Sequence, residues 1–321
     1  LKQVHCVRVS NANSKYNMSR VAIIILNWNG WKDTIDCLKS IEQLKGSKSV
    51  HTYVVDNGST NESVSKINAF IQNKRNVSLI VNERNLGFAG GNNVGIKEAI
   101  RLGFEYVMIL NNDTVLDSEM VTTLRSYLDK NHNVGAVSPK MYFAKGFEFH
   151  KGRYKNRELG QVIWYAGGDI DWDNVYGSNH GVDEVDTGQF EIAQETDFAT
   201  GACFFVRTAV LSKVGLFDEG YFLYLEDTDL SMRIKKSGYA IHVVPKAILW
   251  HKVSRSSAVG SQLNDYFISR NRMLFGIKYA PLRAKFALIR ESLRLLVTGR
   301  PWQKRGIQDY YFNRFGKGSW N

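Results

Sequence analysis

Four short apolar runs, each closed by asparagine or aspartate, constrain the fold of this chain more than any other feature. Residues 21–26, 50–55, 77–81 and 106–110 are rich in Val and Ile and free of Asp, Glu, Lys and Arg. Runs of that length read as strands buried on both faces, as in a parallel sheet. Helix-spaced segments lie between them. In 31–44 the apolar residues fall at Ile35, Leu38, Ile41 and Leu44, one face of a helix. Residues 64–72 and 91–102 complete the alternation. Strand and helix in turn predict an α/β fold, a parallel sheet covered on both faces. Ligands in such sheets bind beyond the carboxyl ends of the strands. There the chain places Asn27 and Asn29, Asp56 and Asn57, Asn82 and Asn85, and Asn111, Asn112 and Asp113. One such ending is an ordinary turn. Four on one sheet edge predict a polar site.

The second half is less regular. Residues 146–190 are rich in Gly, Asp, Asn and aromatics, which suggests loops or an antiparallel excursion. Strands are expected within 196–207, at 240–244 and at 247–251, with helix from Asp265 onward. The charge is uneven: of a net +11, residues 270–321 hold twelve Lys/Arg against Glu291 and Asp309, a difference of +10. In 273–296 the apolar residues Leu274, Ile277, Leu282, Phe286, Ile289, Leu293 and Leu296 alternate with Arg and Lys, and Pro281 interrupts them. This basic amphipathic pattern suits either an anionic membrane surface or packing on the body or in a homodimer. No uncharged apolar run of about 18 residues occurs, so no spanning helix is indicated. Cys6, Cys37 and Cys203 are sparse and match no metal pattern, which favours buried thiols in a reducing compartment. Met18 stands just before the first strand, so 1–17 read as an extension. Acids at the strand ends repel phosphate and argue against nucleic acid as a partner.

Several segments carry chemistry. Residues 222–233 run from an apolar aromatic stretch into Glu226, Asp227 and Asp229. A carboxylate at the edge of an apolar wall is raised toward the range of a general base; Asp227 reads equally as a helix cap. Asp113 follows a fully apolar strand, and its hard oxygens suit Mg²⁺ or Mn²⁺; an Asx turn is the plainer alternative. His251, at the end of a short strand, either completes a metal site with Asp113 or is structural. Asp56 can accept from a base or ribose edge. The stretch 85–93 holds Asn85 and three glycines, Gly87 among them, before a helix, where backbone can approach phosphate. Arg255, Arg270 and Arg272 are cations near enough in sequence to clamp a diphosphate.

Together these pieces resemble the family-2 glycosyltransferases, in their rhamnosyltransferase-like branch. The resemblance rests on Ile-Leu-Asn-Trp-Asn-Gly at 25–30, Val-Val-Asp-Asn-Gly-Ser-Thr at 54–60, Asn-Leu-Gly-Phe-Ala-Gly-Gly-Asn-Asn-Val-Gly-Ile at 85–96 and Leu-Asn-Asn-Asp-Thr at 110–114. It continues through Gly-Ala-Cys-Phe-Phe-Val-Arg at 201–207, residues 215–230 and Val-Pro-Lys-Ala-Ile-Leu-Trp-His at 244–251. It implies a GT-A fold, with a mixed central sheet in one Rossmann-like domain over 20–270 (20–115 for the nucleotide, 116–270 for the acceptor). Residues 1–19 precede it and a basic helical extension, 271–321, follows. The implied reaction is an inverting transfer from a nucleotide-sugar donor, dTDP-rhamnose in this branch and a UDP- or GDP-sugar otherwise. The acceptor is a saccharide or lipid-linked sugar, made into polysaccharide in the cytoplasm or on the inner membrane face. By position, Asp227 is the implied base with Glu226 in support. Asp56, Asn27, Asn29, Asn85, Gly87 and Asn112 lie along the nucleotide, with Arg255 or Arg270 on the diphosphate. Asp113 and His251 are the implied ligands of the divalent cation. Where the family has a fuller Asp-x-Asp, this chain has Asp113 as its only acid. A nucleotide-sugar pyrophosphorylase or a non-catalytic nucleotide-binding protein shares the layout. The former needs a basic glycine loop after the first strand, and residues 27–31 lack one.

Overall fold

A computed structural model of the chain describes residues 20–253 and 260–320. Elements appear in the order β1 (Val21–Asn27), α1 (Trp31–Glu42), β2 (Val50–Asp56), α2 (Ser63–Ile71), β3 (Val77–Val81), α3 (Gly87–Arg101) and β4 (Tyr106–Asn111). Then come β5 (Thr114–Leu116), α4 (Met120–Lys130), β6 (Val134–Phe143), β7 (Ile163–Tyr165), β8 (Gly168–Asp171), β9 (Tyr176–Asn179), β10 (Gln194–Glu195) and β11 (Cys203–Arg207). The chain closes with α5 (Thr208–Val214), α6 (Glu226–Lys236), β12 (Ala240–His251), α7 (Gln262–Tyr279), α8 (Leu282–Thr298) and α9 (Pro301–Tyr311).

The main sheet runs β10-β12-β6-β11-β4-β1-β2-β3, with β5 added to β12 and β7 to β6. β3, β2, β1 and β4 are parallel; β11 is antiparallel to both β4 and β6. Alternation along β1 explains the layers. Val21, Ile23 and Ile25 pack with α1, α2 and α4, whereas Ala22 and Ile24 pack with α3, α5 and α6. Cys37 and Cys203 are buried free thiols. Over 146–190, where loops or an antiparallel excursion are expected, β7 pairs antiparallel with β6 and β8–β9 form a separate antiparallel hairpin.

Two expectations are corrected, and one strand is new. The strands expected at 240–244 and 247–251 are one strand, β12, with an irregularity in its pairing with β6 between Val244 and Ile248. β6, ten buried residues long, has no counterpart in the sequence reading. The division expected at 270/271 falls inside α7, whose Tyr266 and Phe267 pack with Phe222, Trp302 and Trp320. Cys6, Met18 and the rest of the N-terminal stretch lie outside the described residues.

Candidate active site

β1 pairs with β2 on one side and β4 on the other, so the winding reverses between β1 and β4. A crevice opens at such a switch point, beyond the carboxyl ends of the strands. Asn27 and Asp56 face each other at the ends of β1 and β2, and Asn111 ends β4 opposite Leu26, one position earlier.

The polar strand ends mostly bind one another. Asn27 Nδ2 donates to Asp56 Oδ2 at 2.7 Å, and Thr34 Oγ1 donates to Asn27 Oδ1 at 2.8 Å. Asp56 also accepts from the Ser59 amide at 2.9 Å and the Ser59 hydroxyl at 2.7 Å. Asn27 and Asp56 are fully buried, so Asp56 holds the loops together rather than presenting a free edge for a base. Asn57 donates to Asn85 Oδ1 and the Gly87 carbonyl, both at 3.0 Å, and accepts from Asn82 Nδ2 and the Leu86 amide, both at 3.1 Å. Asn29, at φ 56°, accepts from the Thr60 amide at 2.9 Å. Asn112 donates to Thr34 Oγ1 at 3.0 Å. Above this network Trp28 is 56% exposed, an aromatic face at the mouth of the crevice that the sequence reading did not single out.

The glycine segment is part of a helix, not a loop before one. α3 begins at Gly87, four residues earlier than expected. Gly87 has φ 75°, and a Cβ there would stand 2.4 Å from the Phe222 carbonyl oxygen. That oxygen accepts from the amides of Phe88 and Ala89, at 2.6 and 3.3 Å. The donors that a phosphate would use are taken. Gly95 lets α3 settle on β1, since a Cβ there would meet Ile24 at 2.6 Å.

Asp113 and His251, 138 positions apart, meet because β5 pairs with the end of β12, setting Thr114 opposite His251. Asp113 Oδ1 and His251 Nε2 are 3.1 Å apart. His251 is buried, its Nδ1 has no hydrogen-bond partner, and Trp164 stands edge-on to its ring at 4.5 Å. One carboxylate oxygen and one imidazole nitrogen that converge in this way fit a divalent cation such as Mn²⁺. Among the described residues no cluster of three or more His, Cys, Asp or Glu surrounds it. Next in the chain, Lys252 donates to Asp33 at 3.2 Å and Asp36 at 3.0 Å, tying the end of β12 to α1.

The opposite wall is the turn before α6. Phe222, Tyr224 and Leu225 have φ of 65°, 70° and 69°, a region that costs a non-glycine residue roughly 1–2 kcal/mol. Glu226 and Asp227 follow at the first turn of α6. Glu226 is buried and its Oε2 is unpartnered; burial, then the neighbouring Asp227 charge, pushes its carboxyl well above the usual range. Asp227 is half-buried. Burial raises its pKa too, against the lowering pull of the Gly201 and Thr228 amides. Gly201 N donates to Asp227 Oδ2 at 2.7 Å, and the carbonyl of the next residue, Ala202, accepts from Asn111 N at 3.0 Å. That chain of bonds holds Asp227 at the same sheet edge as Asp113. Asp229 has the opposite balance. Burial pushes its pKa up, but Lys278 at 2.7 Å, Arg233 at 2.8 Å and Tyr279 at 2.8 Å outweigh burial and hold it low.

Arg270 is corrected from diphosphate ligand to structural clamp. It is fully buried, and its guanidinium donates to the carbonyls of Gly316 at 2.7 Å, Tyr221 at 2.8 Å and Gly220 at 3.2 Å. Asn271 was not foreseen at all. Its Nδ2 reaches the carbonyls of Tyr221, Leu223 and Tyr224 at 2.8–2.9 Å. Arg270 and Asn271 therefore pin the strained turn that leads into Glu226 and Asp227. Arg272 donates to the Asn174 carbonyl and to Glu291, both at 2.8 Å. Arg255 lies outside the described residues.

The sequence pattern described as glycosyltransferase like family 2 matches residues 19–276. The chain is 24% identical over 275 residues to the dTDP-rhamnosyl transferase RfbF of Shigella flexneri, covering 85% of this chain and 81% of that protein. It is 23% identical over 222 residues to the N-acetylglucosaminyl-diphospho-decaprenol L-rhamnosyltransferase of Mycobacterium tuberculosis, covering 67% and 70%. A crystal structure of GalNAc-T7 with UDP, GalNAc and Mn²⁺ superposes with a TM-score of 0.59 at 16% identity, over 87% of this chain and 55% of that one.

Proposed function

The chain belongs to glycosyltransferase like family 2 and has the GT-A fold, and from that premise we propose that it is an inverting rhamnosyltransferase. It takes rhamnose from dTDP-rhamnose and passes it to a saccharide or lipid-linked acceptor in polysaccharide synthesis. The observation that carries the reading is the half-buried Asp227 carboxylate, raised by burial and tied through Gly201 to the strand end beside Asp113. Rhamnosyl transfer is supported by the names of both relatives.

Asp227 is the general base. The acceptor hydroxyl oxygen bonds to the anomeric carbon as the bond from that carbon to the diphosphate breaks, and the hydroxyl proton passes to Asp227. The transition state has oxocarbenium character, as in glycoside hydrolysis, and one carboxylate with no second nucleophile gives inversion. Glu226, its proton affinity raised by burial, stands beside the base in support. Trp28 supplies a stacking face for the nucleobase, with Asn29 at the rim and Asn112 beneath. Asp113 and His251 would hold a divalent cation, Mn²⁺ in preference to Mg²⁺ because one ligand is an imidazole nitrogen. When bound, the ion neutralises charge on the departing diphosphate.

A panel of dTDP-, UDP- and GDP-sugars tests the reading by thermal shift and donor hydrolysis, with and without Mn²⁺. dTDP-rhamnose should give the largest shift, and Mn²⁺ should enlarge it. A larger response to a UDP- or GDP-sugar replaces the donor; no response to any nucleotide removes the proposal.

A further inference from the structure

α8 carries a one-sided surface that the reaction does not use. Leu282, Phe286, Ile289, Leu293 and Val297 are 73%, 70%, 37%, 55% and 75% exposed. Their spacing confines them to an arc of about 80° at about 100° per residue. The opposite face, with Ala284, Leu288 and Ser292, is buried against the body. Thirteen large hydrophobics are exposed among the described residues, and five share this stripe, so it is a patch and not the usual scatter.

The flanks decide what covers it. Arg283, Arg290 and Arg294 follow one edge of the stripe and Lys285 the other, and none makes an ion pair among the described residues. The one acid of α8, Glu291, turns toward the body and is bound to Arg272 at 2.8 Å. A second copy docked stripe to stripe would set these cations against their own kind with no acid to meet them. An RNA or DNA backbone would satisfy the cations and leave the apolar stripe in water. An anionic bilayer satisfies both, with acyl chains under the stripe and headgroups along the flanks. No helix among the described residues is long and apolar enough to cross a membrane, so α8 meets the bilayer lying in its plane.

We infer that α8 docks this protein on an anionic lipid surface through Leu282, Phe286, Ile289, Leu293 and Val297, with Arg283, Lys285, Arg290 and Arg294 against the headgroups. The inference involves none of the residues assigned to the reaction and stands without it.

The test is flotation of the full chain with phosphatidylcholine vesicles, with and without about 30% phosphatidylglycerol. The chain should float with the anionic vesicles and only weakly with the neutral ones. Phe286→Glu combined with Leu293→Glu should lower the bound fraction at least about tenfold, and Arg290→Gln with Arg294→Gln should weaken binding in a salt-sensitive way. Both pairs are exposed, so the melting temperature should stay at the wild-type value, which separates lost docking from lost folding. No flotation of the wild-type chain, or equal flotation of the glutamate variant, overturns the inference. So does a wild-type dimer in vesicle-free solution that the glutamate variant converts to monomer, because the stripe is then covered by a second copy.

Discussion

The two walls of the crevice are built on opposite principles. On the side of β1, β2 and β3, Asn27, Asp56 and Asn57 are buried and spend their polar atoms on one another and on neighbouring loop amides. On the side of α6, three non-glycine residues sit at positive φ and Glu226 is buried with an unpartnered oxygen. The first wall is satisfied, and its residue at positive φ, Asn29, is of a type that tolerates that region; it fixes a shape. The second holds strain and raised carboxylates, and its turn keeps its conformation because α7 over-determines it through Arg270 and Asn271. Groups whose proton affinity is shifted by their surroundings gather where proton transfer is done, and the proposed base stands on the strained wall. The difference predicts that substitutions on the α6 side act on turnover, whereas those on the β side act on donor affinity.

Asp227→Asn is the hardest test. It keeps the shape and removes the proposed base, so kcat should fall by about 10²–10⁴-fold with donor KM nearly unchanged. Steady-state kinetics that show turnover within about twofold of wild type would take the base away from this residue. Because burial raises the Asp227 pKa, the acid limb of kcat against pH should lie above the ordinary aspartate value of about 3.9, activity falling as the pH drops through it.

Asn271→Ala comes next. It strips one donor from three carbonyls of the turn, of which Tyr221 keeps Arg270, and a carbonyl left unpaired costs roughly 1–3 kcal/mol. We expect kcat to fall by about tenfold to a hundredfold while donor KM stays within about threefold. A wholly structural role would instead lower the amount of folded enzyme and leave kcat per folded molecule intact, which active-site titration with the donor would reveal. On the other wall, Asn57→Ala should do the reverse, raising donor KM by about tenfold with kcat within about twofold.

The contrast also marks what was legible in the sequence. β1 to β4 could be read because each is an apolar run stopped by Asn or Asp. β6 could not: Ser138, Pro139 and Lys140 interrupt it, and Lys140 is tolerated in the sheet only because Asp186 at 2.6 Å and Glu191 at 2.9 Å partner it from a distant loop. The polar strand ends were legible as a site edge, but not that they would face each other, since that depends on register between strands. The pairing of Asp113 with His251 followed from family resemblance, and β5 supplies its physical reason. Arg270 was misread because nothing local distinguishes a cation that binds phosphate from one that binds backbone carbonyls. The strained turn left no signal, since Phe222, Tyr224 and Leu225 are not residues that favour positive φ.

The smallest effect concerns Glu226 and reads the strained wall through stability. Its folded-state pKa is raised, by burial first and by Asp227 second, so the folded protein binds a proton that the unfolded chain has lost. A raised pKa contributes stability that is fully present below the unfolded value of about 4.3 and is lost as the pH rises through the folded value. Glu226→Gln removes that loss while keeping the size of the side chain. Thermal melts should therefore show little difference between variant and wild type near pH 4.3 and a Tm advantage of about 2–4 °C for the variant near pH 8. The corresponding change on the satisfied wall, Asp56→Asn, should lower the Tm instead, because there the side chain accepts three hydrogen bonds. Equal offsets for Glu226→Gln at both pH values would mean that the carboxylate is stabilised where it stands, and the two walls would then not differ in the way argued here.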